Sequence, residues 1–173
     1  TTLGRPGSGP NEFVEPVDVA IDSRGRIYVT DRGNHRIARF DDMSGRGWTT
    51  YGQAGAQKLG PGVFDLLGGI TVAPEGRIYV TDVNENVVIS IADMSGAGYS
   101  FFGVTGHDSL FAQPTGIWAD GTSPIYAASQ NNSRVGRFED IQGSGYATFG
   151  VQGAGQGQLD EPLDVLVATV RRP

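Results

Sequence analysis

Residues 25–40 read Gly-Arg-Ile-Tyr-Val-Thr-Asp-Arg-Gly-Asn-His-Arg-Ile-Ala-Arg-Phe. Two short runs rich in β-branched and aromatic residues flank a break of small and polar residues, which is typical of two β-strands joined by a tight turn. The stretch lies inside a longer unit, from Phe13 to Gly52, which opens with an apolar run after Pro16 and closes with Trp48 to Tyr51. We therefore predict four short strands in this unit.

The unit is repeated along the chain. Residues 27–31 recur 51 positions later as Ile78-Tyr79-Val80-Thr81-Asp82. Ile27-Tyr28 recurs 98 positions later as Ile125-Tyr126. A fourth copy begins at Pro162, with a shift of 146, and residues 1–4 match 49–52 with a shift of 48. The repeats therefore span approximately 13–52, 64–103 and 111–150, with the last strand of a preceding unit at 1–4 and the first strand of a following unit at 162–170.

Four strands in a repeat of about 50 residues is the size of a β-propeller blade. A single four-stranded sheet cannot cover its own faces, so blades stack around an axis and share a core. We predict an all-β fold over 1–173, a single propeller segment of four-stranded antiparallel blades with three complete blades plus flanking half-blade strands. The first strand of each blade is expected to lie innermost and to be buried on both faces. A β-solenoid or a sandwich fits this repeat length poorly.

Composition narrows the classes of function. The chain has 173 residues, 27 glycines, no cysteine and a formal net charge of −6. The acidic balance makes nucleic acid an unlikely partner, because such binders neutralise phosphates with a basic face. The absence of cysteine excludes disulfides and thiolate metal sites and fits either compartment. The localisation stays open, with an extracytoplasmic one slightly favoured. No apolar run approaches the roughly 20 residues of a membrane span.

Residues Asn34-His35-Arg36-Ile37, together with the run 28–31 before them and Phe40 with a glycine turn after them, resemble the NHL repeat family. The second and third repeats depart from that signature, with Glu85-Asn86-Val87-Val88 and Asn132-Ser133-Arg134-Val135. The resemblance implies a closed ring, commonly of six blades. Three blades would leave edges and apolar faces exposed. We therefore expect a piece of a longer chain or, as the alternative, two or more copies that complete a ring.

In such a ring, the inter-blade linkers and the turns between the second and third strands open on the same end, where binding usually occurs. We predict a non-enzymatic scaffold that binds a protein or peptide partner there, within a larger assembly. The candidate binding residues are Arg32, Asn34, Lys58, Asp82, Glu85, Asp108, Gln130 and Asn131. The alternatives are a metal-dependent lyase or lactonase whose site lies in missing blades, and an RNA-binding NHL domain.

Two sets of residues could carry metal chemistry. His35 is expected to hold its turn, and with His107 as the other histidine the chain cannot supply the several histidine ligands of the metal-dependent lyases that resemble this fold. Asp18 and Asp164 occupy equivalent places at the start of the innermost strand and are weak candidates for calcium, which prefers oxygen ligands. The competing interpretation is that each Asp fixes a turn. No cofactor is expected, with calcium as the open alternative.

Overall fold

The computed structural model describes residues 2–53, 59–103, 110–121 and 124–168. Strands and short 3-10 turns make up its regular structure, and no helix in these ranges is long and apolar enough to cross a membrane. The strands are β1 Arg5–Pro6, β2 Glu12–Phe13, β3 Pro16–Ile21, β4 Ile27–Asp31, β5 Arg36–Phe40, β6 Thr49–Tyr51, β7 Leu67–Val72, β8 Ile78–Asp82, β9 Val87–Ile91, β10 Ser100–Gly103, β11 Pro114–Trp118, β12 Ile125–Ser129, β13 Arg134–Phe138 and β14 Ala147–Phe149.

Three four-stranded antiparallel sheets form in chain order, and we name them blades 1, 2 and 3. Blade 1 has the order β3-β4-β5-β6, blade 2 has β7-β8-β9-β10, and blade 3 has β11-β12-β13-β14. The predicted all-β fold of antiparallel four-stranded blades is confirmed. Residues 2–4 and 162–168 carry no assigned strand, so their assignment to neighbouring blades stays a prediction.

The cores lie between blades. Tyr28 and Ile37 of blade 1 pack with Phe64, Leu67 and the buried face of blade 2. A second cluster joins blade 2 to blade 3. Its aromatic centre is formed by Phe102, Phe111, Phe138 and Tyr146, whose ring centroids lie 5.0 to 6.0 Å apart. Each blade is therefore stabilised by its neighbour, because aromatic and aliphatic burial happens across the interface rather than within one sheet.

Threonine hydroxyls join the innermost strands of neighbouring blades. The Thr81 hydroxyl accepts a hydrogen bond from the Gly69 amide and donates one to the Thr115 carbonyl, both at 2.8 Å. Thr30 makes the equivalent bonds one blade earlier, from the Asp18 amide at 3.0 Å and to the Gly68 carbonyl at 2.8 Å. These bonds fall where the register between the first and second strands shifts, so they satisfy backbone groups that the ladder leaves over.

Glycine is required where the inner strands meet. A Cβ atom on Gly69 would lie 2.5 Å from the Thr115 carbonyl oxygen, and one on Gly116 would lie 2.5 Å from the Asp164 Cα. Backbones can approach this closely only without a side chain. Residues 162–164 therefore lie against β11, and the Thr115 hydroxyl donates to the Pro162 carbonyl at 3.3 Å.

The expected burial of every first strand on both faces is wrong for β3. Leu67 and Ile70 of β7 are buried, but Val17, Val19 and Ile21 of β3 are 44, 57 and 65% exposed. The physical reason is that β7 is sandwiched between β3 and β11, whereas no described blade covers the other side of β3. An innermost strand is thus buried on both faces only where a blade lies on each side of it.

The threonine bridge should be measurable in stability. Thr81→Val keeps the side-chain shape but leaves the Gly69 amide and the Thr115 carbonyl without this partner, so we expect a loss of about 2 kcal/mol in the free energy of unfolding. Urea denaturation measures it. The exposed Thr148→Val is the matched control and should change stability by less than about 0.5 kcal/mol. Equal effects of the two substitutions would show that the bridge contributes nothing.

Candidate binding surface at the signature end

The turns between second and third strands lie at the same end of the blades as the linkers, and we call this the signature end. Two of these turns are 3-10 turns, Arg32–Asn34 in blade 1 and Gln130–Asn132 in blade 3. Each ends in a residue with left-handed backbone, His35 at φ 53° and Ser133 at φ 54°, and Asn86 at φ 58° is equivalent in blade 2. Polar residues tolerate this conformation best among non-glycine residues.

His35 is committed to the blade 1–blade 2 interface. Its Nδ1–H donates to the Asp65 carbonyl at 2.7 Å and lies 3.1 Å from the Phe64 carbonyl oxygen. Because both partners are carbonyl oxygens, Nδ1 carries the proton. The sequence predicts that His35 holds its own turn, but its side chain instead joins the signature of one blade to the linker of the next, because the Phe64 and Asp65 carbonyls lie within its reach.

Asn34 and Arg36 hold the preceding linker. Asn34 Nδ2 donates to the Gly7 carbonyl at 3.0 Å and to Asp31 at 2.8 Å. Arg36 Nε donates to the same Asp31 carboxylate at 2.8 Å, and its other nitrogens donate to the Ser8 and Glu12 carbonyls at 2.7 and 2.9 Å. The side chains of Arg36 and Asp31 are 12 and 0% exposed. The signature therefore forms a buried charged network with its partners satisfied.

Two predicted binding residues prove to be buried. Asp82 is fully buried at the end of β8 and accepts hydrogen bonds from the Asp65 and Leu66 amides, so it holds the linker instead of facing a partner. Glu85 is also buried. The sequence places both residues on an open loop. In the structure, Asp82 at the end of β8 instead bonds the segment that leads into β7. Lys58 and Asp108 lie outside the described residues.

Arg32, Asn34, Gln130 and Asn131 keep some or full exposure at the signature end. Arg32 Nε donates to the Leu67 carbonyl at 2.8 Å, so the guanidinium is anchored on blade 2 beside the propeller axis. Gln130 Nε2 donates to Glu161 Oε2 at 3.5 Å. The structure thus brings two of the predicted residues, Arg32 and Gln130, to one concave surface.

That surface is an axial hollow of about 430 Å³. The inner ends of blades 1, 2 and 3 and the segment that follows blade 3 all contribute to it. Its lining residues are Val17, Asp18, Arg32, Gly68, Gly69, Thr115, Gly116, Gln130, Leu163 and Asp164. The hollow therefore combines an arginine, an amide and two carboxylates with apolar side chains, as ligand and partner sites generally do.

Asp18 and Asp164 reach this hollow but serve the backbone. Asp18 Oδ1 accepts from the Val19 amide at 2.8 Å, and Oδ2 accepts from the Ile70 amide of blade 2 at 2.9 Å. Asp164 Oδ1 accepts from the Val165 amide at 2.8 Å. Within the described ranges, no group of three or more His, Cys, Asp or Glu could hold a metal ion. Two carboxylates are few for the six to eight ligands of calcium, whose binding stays a prediction.

The hollow's apolar and glycine lining was missed from the sequence, although the internal repeat carries a signal for it. Val17, Gly68, Thr115 and Leu163 occupy the same repeat position, one residue before Asp18, Gly69, Gly116 and Asp164. Residues that share a repeat position share a height on the propeller axis. The same register that defines the blades therefore identifies the ring of residues around the axis.

Comparison with known proteins agrees with this architecture. The family model described as "NHL repeat" matches residues 13–40, the part of blade 1 that contains the bonded signature. The chain therefore contains an NHL repeat at residues 13–40. Human NHL repeat-containing protein 3 is 50% identical over 42 residues, which is 24% of this chain and 12% of the human protein. Protein lin-41 of Caenorhabditis elegans is 45% identical over 40 residues, 23% of this chain and 4% of that protein.

Solved structures share the fold at low sequence identity. A catalytically inactive virginiamycin B lyase from Staphylococcus aureus with quinupristin superposes with a TM-score of 0.58 and 16% identity, over 82% of this chain and 43% of the lyase. The structure of U3-55K gives a TM-score of 0.61 and 19% identity, over 86% of this chain and 41% of that one. The chain therefore spans less than half of each of these structures, and the likeness shows the fold alone.

The charged network of the signature leads to a stability prediction. Arg36→Gln leaves the buried Asp31 carboxylate without its cation, so we expect a loss of about 3 kcal/mol in the free energy of unfolding. Arg134→Gln is the matched control, because blade 3 has Ser129 in place of Asp31 and Arg134 is exposed. Chemical denaturation of both variants measures the difference. A loss of stability of the same size in Arg134→Gln would contradict the assigned role of Asp31.

Proposed function

We propose that this NHL segment is a non-enzymatic scaffold that binds a protein or peptide partner at the signature end, with the axial hollow at the centre of the contact. The observation that carries the proposal is the lining of the hollow. Apolar Val17 and Leu163 lie beside Arg32 and Gln130 in one concave surface. Protein interfaces combine such an apolar centre with polar rim groups, and arginine is enriched in them.

The hydrogen bonds that the signature residues make within the fold support a scaffold over a catalyst. His35 is bonded across the blade interface, while Asn34 and Arg36 hold a linker and share the Asp31 carboxylate. Groups that are spent on the fold are not available as a general base or as metal ligands. The likeness to a lyase concerns the fold, and fold does not determine function.

The pairing of arginines supports a protein partner over RNA. Arg26 pairs with Asp22 at 2.6 Å, Arg36 pairs with Asp31 at 2.8 Å, and Arg137 pairs with Glu139 at 2.5 Å. Their charges are therefore balanced within the blades, and the chain as a whole carries −6. A phosphate backbone needs unpaired basic groups along its path.

A peptide-display selection tests the proposal. Random peptides are selected on the immobilised chain, and the affinity of the best binder is measured by calorimetry. We expect Arg32→Ala and Gln130→Ala each to weaken binding by at least about tenfold, because truncation of central interface residues costs more than 1 kcal/mol. Arg46→Ala is the control, since Arg46 is an exposed arginine on a turn at the other end of the blades.

Two outcomes would contradict this function. Binders that lose affinity only in Arg46→Ala would move the partner surface away from the signature end. A selection that yields no saturable binder sensitive to Arg32 or Gln130 would remove the hollow as the contact centre.

We infer in addition that the open faces of the segment are covered by further blades, either from the same protein or from a second copy. Val19 and Ile21 form an exposed apolar stripe on β3, opposite the face that packs on blade 2. Leu166 and Val167 are exposed beyond blade 3. Contiguous apolar strand faces of this kind mark interaction surfaces.

Light scattering of the 18.3 kDa chain tests this coverage. We expect a mass above that of the monomer that rises with concentration, because burial of the β3 stripe favours association. The double variant Val19→Asp with Ile21→Asp should shift the mass toward the monomer. Val151→Asp, at an exposed linker residue, should leave the association unchanged. A wild-type monomer at every concentration would exclude a second copy as the cover and leave only further blades of the same protein.

A further inference from the structure

A further cavity lies at the end of the blades opposite the signature end, between blades 2 and 3, and we call it the blade 2–3 cleft. Its volume is about 400 Å³. Arg77 and Tyr79 of blade 2 face it, and the β11–β12 and β13–β14 turns of blade 3 form its other side. The blade 2–3 cleft shares no lining residue with the axial hollow, so it is independent of the proposed partner surface.

Blade 1 fills the equivalent position with a carboxylate of its own. Asp22 accepts hydrogen bonds from the Arg24 and Arg26 amides, both at 2.9 Å. It also accepts from Arg26 Nε at 2.6 Å and from the Tyr28 hydroxyl at 3.2 Å. Burial of the Asp22 carboxyl opposes its ionisation, but the hydrogen bonds from Arg26 and Arg24 outweigh this and lower its pKa. Four donors, one of them a guanidinium, therefore hold a single ionised carboxylate.

Blade 2 keeps this turn and its arginine and tyrosine but lacks the carboxylate. Arg77 and Tyr79 lie 51 residues after Arg26 and Tyr28, whereas Ala73 stands where blade 1 has the aspartate. The two turns close with the same pair of backbone hydrogen bonds, at 3.0 and 2.9 Å in blade 1 and at 2.9 and 2.8 Å in blade 2. The blade 2 turn therefore presents a guanidinium and a phenol hydroxyl without the internal carboxylate that blade 1 supplies to them.

Arg77 is a partly exposed cation at the cleft. Its Nη1 donates to the neutral Ser90 hydroxyl at 3.0 Å. Within the described ranges Arg77 forms no ion pair, whereas its equivalent Arg26 does. The Glu75 carboxylate, two residues before Arg77, lies against Gly121 of blade 3, so close that a Cβ atom there would overlap it. A guanidinium with further N–H donors beside a cavity favours an acceptor of opposite charge.

The acids of the cleft lie on its blade 3 side and are bonded there. Glu139 pairs with Arg137 at 2.5 Å. Asp140 accepts hydrogen bonds from the Gln142 and Ser144 amides of its own turn, at 3.0 and 3.1 Å. The two sides of the cleft therefore differ in charge, with a cation that lacks a counter-ion on blade 2 and bonded carboxylates on blade 3.

We propose that the blade 2–3 cleft binds the carboxylate of a small ligand, with Arg77 as the counter-ion and the Tyr79 hydroxyl as a second donor. A planar guanidinium can give two parallel hydrogen bonds to a carboxylate. Burial raises the pKa of the Tyr79 phenol, so the hydroxyl keeps its proton at neutral pH. Ala119 and Ile125 line the blade 3 side and suit a short aliphatic stem. A simple carboxylic acid and an amino acid both present this chemistry, and the amino acid would direct its ammonium group toward the blade 3 acids.

The Nε–H signal of Arg77 in a ¹H–¹⁵N spectrum reports directly on this site. Titration of the chain with propionate should shift that signal saturably, while the Arg26 signal should stay in place because Asp22 already occupies that guanidinium. Ala73→Asp supplies the carboxylate internally, as Asp22 does in blade 1. We expect this variant to start with the Arg77 signal shifted toward that of Arg26 and to bind propionate at least about tenfold more weakly, since loss of one charge-assisted hydrogen bond corresponds to that factor or more.

A second variant keeps the test independent of how well Ala73→Asp folds. Arg77→Gln removes the cation and should lower the propionate affinity, followed through the Tyr79 ring signals, by at least about tenfold. Arg24→Gln is the matched control, because Arg24 is an exposed arginine of the neighbouring cleft, and it should leave the affinity unchanged. A dispersed spectrum of each variant shows that it is folded.

A comparison of propionate with β-alanine identifies the kind of ligand. Tighter binding of β-alanine assigns the site to an amino acid, and tighter binding of propionate assigns it to a simple acid; both support the proposal. An Arg77 signal that responds to inorganic phosphate and not to propionate would overturn it. Equal propionate affinities of the wild type and Arg77→Gln would overturn it as well.

Discussion

The close approach of neighbouring inner strands is the constraint on which the rest of the structure depends. Gly69 and Gly116 allow this approach because a Cβ atom at either position would overlap the next strand. The Thr30 and Thr81 hydroxyls then bridge the backbones that have come together. With the inner strands at this distance, Phe64 and Phe111 can fill the wider space farther from the axis. The glycines therefore determine the stacking, and the aromatic cores follow from it.

The NHL signature has a consequence for where binding can occur. Its three polar residues are bonded to a linker, to Asp31 and to the next blade, so the most recognisable motif of the chain is structural. The proposed partner surface therefore rests on residues at the same end that the signature does not use, such as Gln130 and Asn131. Since these residues vary between repeats, each blade can present different chemistry on one conserved frame, as loops on rigid scaffolds commonly do.

The fold was largely predictable from sequence, whereas the candidate site was predictable only in part. The repeat register defines four strands per blade because strand alternation and turn residues are local signals. Burial of Asp82 and Glu85 depends on how the end of one strand folds back onto the chain that enters the blade, and no local pattern encodes that contact. The exposure of Val19 and Ile21 likewise depends on which blade lies beside them. Arg32 and Gln130 line one hollow because they occupy the same repeat position, and their part in binding stays a prediction.

Differences between equivalent positions are more informative about function than the shared motif. The shared residues serve what the blades have in common: hydrogen bonds between neighbouring inner strands and hydrogen bonds that fix the linker. At one position the three blades carry Asp41, Ala92 and Glu139. The Glu139 carboxylate lies 2.5 Å from Arg137, and the Asp41 carboxylate lies 3.7 Å from Arg39. A repeat protein thus contains its own comparison, because the same pair of positions carries a close ion pair in blade 3, a longer one in blade 1 and uncharged residues, Ser90 and Ala92, in blade 2.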